Sequence, residues 1–308
     1  MAALAVLAKA CGAEVTGCDI SATPRTRWLE SMGVKVSIGH DASHLAGVDE
    51  LVVTPAVSPD NPELAYCASA EGRRIRVRRR GEFLAEMVSS CCSIAVCGSH
   101  GKTTTATFTA RLLLALGEDV SWAIGGETGD FPVAGVAKGG LFSDGAVLVV
   151  EADESDGTLA LYHPSVLVVT NCEYDHPDHF KTPSDYFACF DAARRNSGDV
   201  VEAESLSLDG WDSLGSLPLH NQRNARAAAE VALRRGHSKA AIERALASIV
   251  GELPDRRFQT IAANTPAGTV VTDYAHHPTE MKCAVAMARD VCRGRLRVLF
   301  QPHRYSRT

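Results

Sequence analysis

The ten cysteines of this chain include no C-x-x-C pair. They are scattered, and a tetrahedral zinc site usually draws two ligands from one tight turn, so the spacing argues against a zinc ribbon. A disulfide framework belongs to short secreted chains rather than to 308 residues of α/β pattern. The thiols therefore read as small, mostly buried hydrophobes in a reducing compartment. No apolar run approaches the roughly 20 residues that a membrane span requires. A basic surplus is missing too: 31 Lys and Arg face 37 Asp and Glu, a net charge of −6, which is a poor match to a nucleic-acid binder. The opening MAALAVLAKACGA has no basic residue ahead of its apolar stretch, since Lys9 follows it, so it does not read as a signal peptide. A cytoplasmic protein with neither membrane nor nucleic acid as partner is expected.

What is present is a balanced composition, 45% hydrophobic and 22% charged, enough to build a core. Short apolar runs alternate with helical patterns, which predicts α/β architecture with parallel strands. Helices are expected over 2–11 and 24–32, and strands over 14–19, 34–38 and 49–57, the last breaking at Pro55. RRIRVRRR (73–80) holds six arginines in eight residues; its alternation with Ile75 and Val77 predicts an edge strand with one charged face. Strand, glycine loop and helix follow over 93–117, with further strands at 145–150 and 165–170. Residues 196–218 are polar with few strand signals. Two helices (221–236, 239–249) precede a β-α-β pattern over 269–303. Boundaries near 89–92 and 251–256 divide the chain into 1–89, 90–254 and 255–308.

The sharpest motif is GSHGKTTT (98–105), between an apolar strand and a helix. Gly98 and Gly101 let backbone N–H groups turn inward around a phosphate, and the helix N-terminus adds a favourable dipole. Lys102 would place a cation on the outer phosphates and Thr103 a hydroxyl on Mg²⁺. Two residues separate the glycines where the generic P-loop has four. EADESD (151–156) follows the next buried strand, and its first carboxylate, Glu151, suits a metal-bound site, with a solvated acidic loop as the plainer alternative. NCEYDHPDH (171–179) also sits at a strand end, and His176 is its candidate metal or phosphate ligand. Three strand tips carrying Lys/Thr, Glu and His imply one crevice, where α/β sheets bind ligands. Asn221 and Asn224 in HNQRN (220–224) offer amide edges to a base, or Asn221 caps a helix. Arg256 and Arg257 are a phosphate-reaching or merely surface pair. Asp273 and the pair His276–His277 precede a proline-opened helix, where capping is the alternative.

Taken in order, these segments resemble the Mur ligase family, in its alanine-adding branch. The likeness spans TPAVSPDNPE (54–63), RRGEFLAEM (79–87), GSHGKTTT, EADESDGT, EYDHPDHF, LHNQRNARAAAE, DRRF (255–258), DYAHHPTE (273–280) and FQPHRYSRT (300–308). It implies a Rossmann-like N-terminal domain lacking its first strand, a P-loop ATPase-type central domain with a parallel sheet, and a partial Rossmann-like C-terminal domain. It also implies ATP and Mg²⁺ as cofactors, with UDP-N-acetylmuramate and L-alanine as substrates joined through an acyl phosphate. Lys102, Glu151 and His176 become the catalytic residues, and Thr103, Glu151 and His176 the metal ligands. Gly98, Ser99, His100, Gly101, Lys102, Thr103 and Thr104 become the phosphate loop. His220, Asn221, Asn224, Arg257, Asp273 and His276 complete the nucleotide site. The chain departs from the family at Leu219 and Thr272, where the family has Gly and Asp, and in a short stretch between His176 and His220. The family's glycine-rich first strand is not matched, which predicts a gap in the N-terminal sheet, because neighbouring strands would bond through it. Two other readings are a nucleotide-binding relative that does not ligate, and the sister ligase that recycles murein tripeptide.

Overall fold

The computed structural model describes residues 1–126, 131–249, 258–265 and 268–301. The N-terminal unit opens with helix α1 (Ala2–Ala10), strand β1 (Thr16–Asp19), helix α2 (Pro24–Ser31) and strand β2 (Lys35–Ile38). Strand β3 (Glu50–Val53), helix α3 (Pro62–Ala68), strand β4 (Arg76–Arg79) and helix α4 (Arg80–Ser89) follow. The helices start where the sequence provides caps. Thr23 and Thr26 bond each other's backbone ahead of α2, and Asn61 accepts from the N–H groups of Glu63 and Leu64 ahead of α3, each with proline at the first position.

β1 pairs with β2 and β3 with β4, both in parallel, as two separate two-stranded ladders. No ladder joins the two pairs among the described residues, as the unmatched first strand predicts. Thr16 and Gly17 of β1 are exposed.

The arginine strand corrects the expected facing. Val77 lies outward, 43% exposed, whereas Arg78 is buried. Arg78 reaches Glu50 at 3.0 Å and Glu86 at 2.6 Å, and its guanidinium lies over the Phe83 ring. Two carboxylates and an aromatic face make burial of that cation tolerable, and alternation alone does not reveal them.

The central unit contains strand β5 (Ser93–Cys97), helix α5 (Lys102–Ala115), strands β6 (Val120–Ala123), β7 (Ala134–Gly135), β8 (Val147–Glu151) and β9 (Val166–Val169), helix α6 (Pro183–Asn196), strand β10 (Asp199–Glu202) and helices α7 (Leu219–Arg234) and α8 (Lys239–Ile249). Its strands order as β10-β9-β5-β8-β6-β7, parallel except for the terminal β7. β5 is buried along its whole length, so an unbroken apolar run marks the middle of a parallel sheet. β10 corrects the expectation of few strands past residue 196: DVVE is short, but β9 offers a parallel edge for it.

α5 is buried on nearly every side despite its threonines. Thr107 and Thr109 donate to the carbonyls of Thr103 and Thr105, each at 2.8 Å, so their hydroxyls need no water. Its neighbour α7 is alanine-rich, with Ala225, Ala227, Ala228, Ala229 and Ala232 fully buried, and small side chains permit close packing on α5. α7 begins at Leu219 after Pro218 without a side-chain cap, so Asn221 does not cap it.

Strands β11 (Gln259–Thr265) and β12 (Gly268–Thr272) form an antiparallel pair ahead of helix α9 (Pro278–Val291). The strand expected at LRVLF is not formed over 296–300, where Val298, Leu299 and Phe300 are exposed. Among the described residues it pairs with no strand, and a parallel strand needs a partner edge. The remainder of that segment, 302–308, falls outside the described residues.

Candidate nucleotide-dependent active site

β8, β5 and β9 are neighbours, so the loops leaving them meet at one end of the sheet. The loop after β5 turns at Gly98 (φ +132°) and again at Gly101 (φ +77°), a left-handed conformation that caps α5. A Cβ on Gly101 would stand 2.6 Å from Asn224 Oδ1, and one on Gly98 would stand 2.1 Å from the Thr170 hydroxyl. Both glycines are thus required by close approach as well as by backbone angle.

The loop is clamped from the β9 side. Asn171 brackets His100, accepting from its N–H at 2.9 Å and donating to its carbonyl at 3.0 Å. Thr170 donates to that carbonyl as well. The Ser99 hydroxyl accepts from the Glu173 N–H, donates to the Glu173 carbonyl at 2.6 Å and lies 2.9 Å from the Tyr186 hydroxyl. A loop so tied is preorganised, its amides positioned before any ligand arrives.

Lys102 extends from the start of α5 to Glu154 Oε1 at 2.9 Å and donates to the Gly98 carbonyl at 2.6 Å. His176 Nε2 approaches the same Glu154 oxygen at 3.2 Å. Glu154 is fully buried, and its second oxygen has no hydrogen-bond partner. Burial alone would lower the Lys102 pKa. The Glu154, Asp153 and Glu151 carboxylates more than offset it, so the pKa is raised and the ammonium is retained. Thr103 Oγ1 donates to Glu151 Oε1 at 3.0 Å, and the Gly125 N–H donates to Glu151 Oε2 at 2.6 Å. His176 adopts φ +59°, a costly angle for a side-chain-bearing residue, and one that recurs at functional sites.

Asn221 and Asn224 lie buried in the first turns of α7, joined by a 3.2 Å amide bond, with Asn224 against Gly101. His220 is half-buried beside them, and Thr104 is buried in the first turn of α5. Asp273 accepts from the N–H groups of Phe258 and Ala275, and the His276 ring lies 2.9 Å from the Tyr274 carbonyl. These bonds fit the capping and turn alternative. Contact with the phosphate loop is made by the next residue, His277, whose ring centroid lies 4.3 Å from that of His100. Thr279 donates to Glu173 at 2.7 Å. Arg257 lies outside the described residues.

Sequence reasoning missed Glu154, Asn171 and Thr279, and weighed His277 only together with His276. The first two lie inside segments already singled out, EADESD and NCEYDHPDH, but a one-dimensional pattern does not say which carboxylate turns inward. A cavity of about 290 Å³ opens beside the site, where Glu151 and Asp153 face Arg25, Arg80 and the N-terminus of α1. Arg80 reaches Asp153 at 2.9 Å.

The profile described as Mur ligase family, catalytic domain, matches residues 1–90, and that of the Mur ligase middle domain matches 96–192. The chain is 36% identical over 342 residues to a UDP-N-acetylmuramate–L-alanine ligase of Rubrobacter xylanophilus, covering 96% of this chain and 74% of that relative. The crystal structure of a UDP-N-acetylmuramate–alanine ligase from Thermotoga maritima superposes with TM-score 0.76 at 24% identity, covering 94% of this chain and 75% of the other. A murein peptide ligase from Psychrobacter arcticus gives 0.69 at 26% identity, covering 94% and 74%. With the glycine loop, the two acidic strand ends and these likenesses together, this chain belongs to the Mur ligase family.

Proposed function

We propose that this chain is an ATP-dependent acid–amino-acid ligase that joins L-alanine to UDP-N-acetylmuramate in peptidoglycan precursor synthesis. The observation that carries the reading is the convergence of Lys102 and His176 on the buried Glu154, beside the Thr103–Glu151 pair. A carboxylate does not react with an amine at neutral pH because its carbon is a poor electrophile. Attack of a substrate carboxylate oxygen on the γ-phosphorus of ATP breaks the bond to ADP and gives an acyl phosphate. The free amine of L-alanine, having lost a proton, then adds to the carbonyl carbon, and collapse of the tetrahedral intermediate expels phosphate.

The loop amides and the cationic Lys102 would hold the triphosphate and stabilise charge on the transferring group. Thr103 and Glu151 present two oxygens 3.0 Å apart, a donor set suited to a hard divalent cation. His176 and Glu154 Oε1, 3.2 Å apart, offer a second candidate position. Mg²⁺ bound there would supply neutralisation of phosphate charge. Arg25 and Arg80, lining the adjoining cavity, are the candidates for an anionic sugar nucleotide. The Asn221–Asn224 pair would support the nucleotide from beneath the loop, and α9 would close over it through His277. Residues 1–89, 90–254 and 255–308 would serve as sugar-nucleotide, ATP and closing domains. Free thiols throughout the described residues fit a reducing compartment, and the cytoplasm is the proposed location. No helix among the described residues is long and apolar enough to cross a membrane.

A second reading is nucleotide binding without ligation. One assay separates the two. Purified protein with ATP, Mg²⁺, UDP-N-acetylmuramate and L-alanine is expected to release phosphate only when both substrates are present. ATP binding with no substrate-dependent release would overturn the ligase reading in favour of the second.

A further inference from the structure

A second cluster of donor side chains lies in the N-terminal unit, away from the phosphate loop. Cys18 lies within β1, His40 follows β2, His44 stands in the 3₁₀ turn Ala42–Leu45, and Glu63 lies in the first turn of α3. Cys18 Sγ lies 3.2 Å from His40 Nδ1 and 3.0 Å from Glu63 Oε1. Glu63 Oε1 lies 2.9 Å from His44 Nδ1, and Oε2 lies 3.2 Å from His40 Nδ1. The donor atoms of Cys18, His44 and Glu63 all fall within 4.8 Å of one another.

We propose that Cys18, His44 and Glu63, with the adjoining His40 swinging in as fourth donor, form a tetrahedral site for a thiophilic divalent ion, zinc above all. A thiolate, two imidazoles and a carboxylate make the mixed S/N/O set that zinc takes and that magnesium and calcium do not. Bonds of about 2.0–2.3 Å place tetrahedral donors roughly 3.3–3.6 Å apart. The donor pairs already in contact, at 2.9–3.2 Å, need to part by a few tenths of an ångström, while Cys18 and His44, within 4.8 Å of each other, and His40 must draw in around the ion. The scaffold holds them: Gly39 turns the chain at φ +91° and bonds back to the Asp19 carbonyl, Asp41 caps the turn that carries His44, and Asn61 caps the helix that carries Glu63.

Glu63 is 4% exposed, whereas both histidine side chains are 26% exposed, so the carboxylate is fixed and an ion has a path in from solvent. Without an ion, burial and the neighbouring Glu63 raise the Cys18 pKa to about 12, and the thiol stays protonated. On binding, the S–H bond breaks, sulfur donates its electron pair to the ion, and one proton goes to solvent, so affinity rises with pH. Cys18 and His40 belong to the β1–β2 pair, while Glu63 lies between β3 and β4. An ion at this position would clip together the two strand pairs that share no backbone ladder.

Cobalt(II) in excess Mg²⁺ tests the site on the full chain, with His44→Ala and Cys18→Ser as variants. One tightly held cobalt per chain, with thiolate-to-cobalt charge-transfer absorption, is expected in the parent and in neither variant. His44→Ala keeps every cysteine, so its loss of the band excludes the other thiols as the source. Equimolar zinc is expected to raise the thermal midpoint of the parent by several degrees and to leave His44→Ala unmoved. No retained ion after gel filtration, or a band that persists in His44→Ala, overturns the proposal.

Discussion

At the scale of single residues, the site turns on one buried carboxylate. Glu154 has no exposure and holds two groups of the reacting end, Lys102 and His176, through one oxygen. Glu154→Gln keeps the shape and removes the charge. Substrate-dependent phosphate release should fall by roughly 10²–10³ in kcat, comparable to deleting one preorganised electrostatic contact, with the thermal midpoint little changed. Burial then acts on Lys102 with less opposition, so the alkaline limb of the pH–rate profile should move to lower pH. A fall in kcat with an unmoved alkaline limb would show that Glu154 does not hold the lysine proton. Glu118 is a carboxylate of another kind. It ties the end of α5 to that of α7 through Arg235 at 2.8 Å and His237 at 2.7 Å. Burial opposes its ionisation, but the bonds to Arg235 and His237 prevail, and its pKa lies below the ordinary 4.5. A depressed carboxyl contributes stability that is present above pH 4.5 and lost as pH falls through the folded value. Denaturant titrations should show Glu118→Gln weaker by about 1 kcal/mol at pH 7, between a surface and a buried pair. That difference should close as the pH drops below 4.5, and one that stays constant with pH would contradict the assignment.

Among the elements, α5 is the one on which the site depends, because its N-terminus is the floor of the phosphate loop. It is packed by α7 and α8 on one side and by the sheet on the other, with Leu112 and Leu113 fully buried. Leu113→Ala should cost about 2–5 kcal/mol in urea unfolding, without altering the loop itself. A cost under 1 kcal/mol would mean that the core relaxes around the missing atoms. The same element shows how much a linear reading captures. A strand, a glycine turn and a helix at 93–117 were legible because a buried parallel strand is a continuous apolar run and a left-handed cap requires glycine. β6, β7 and β10 were not legible, since two to four residues carry too little periodicity and owe their ladders to neighbours in space. The reverse failure occurs at LRVLF, whose strand-like composition finds no edge to join.

Across the whole molecule, the C-terminal unit meets the phosphate loop at a small polar contact. His277 packs at a tilt against His100, and Thr279 bonds Glu173. Contacts of this kind are worth about 1 kcal/mol, which suits a surface that opens and closes. His277→Ala should speed hydrogen exchange in α9 and at the His100 amide several-fold while leaving the β5 and β8 amides protected. Unchanged exchange in α9 would show that its position does not depend on that contact.

The sequence alone determined the α/β class, the glycine loop and the three strand tips, because each rests on local chemistry: apolar runs, obligate glycines and charged residues just past strands; their order along the chain carried the family resemblance. Only the tertiary structure decided which acid faces the lysine, which histidine meets the loop, and that Arg78 rather than Val77 turns inward. It also assembled Cys18, His40, His44 and Glu63, of which only the H-x₃-H pair His40 and His44 stands at a metal-like spacing along the chain. Such sets arise from segments that meet through folding, and side-chain donors recognise distance in space, to which separation in sequence is no guide.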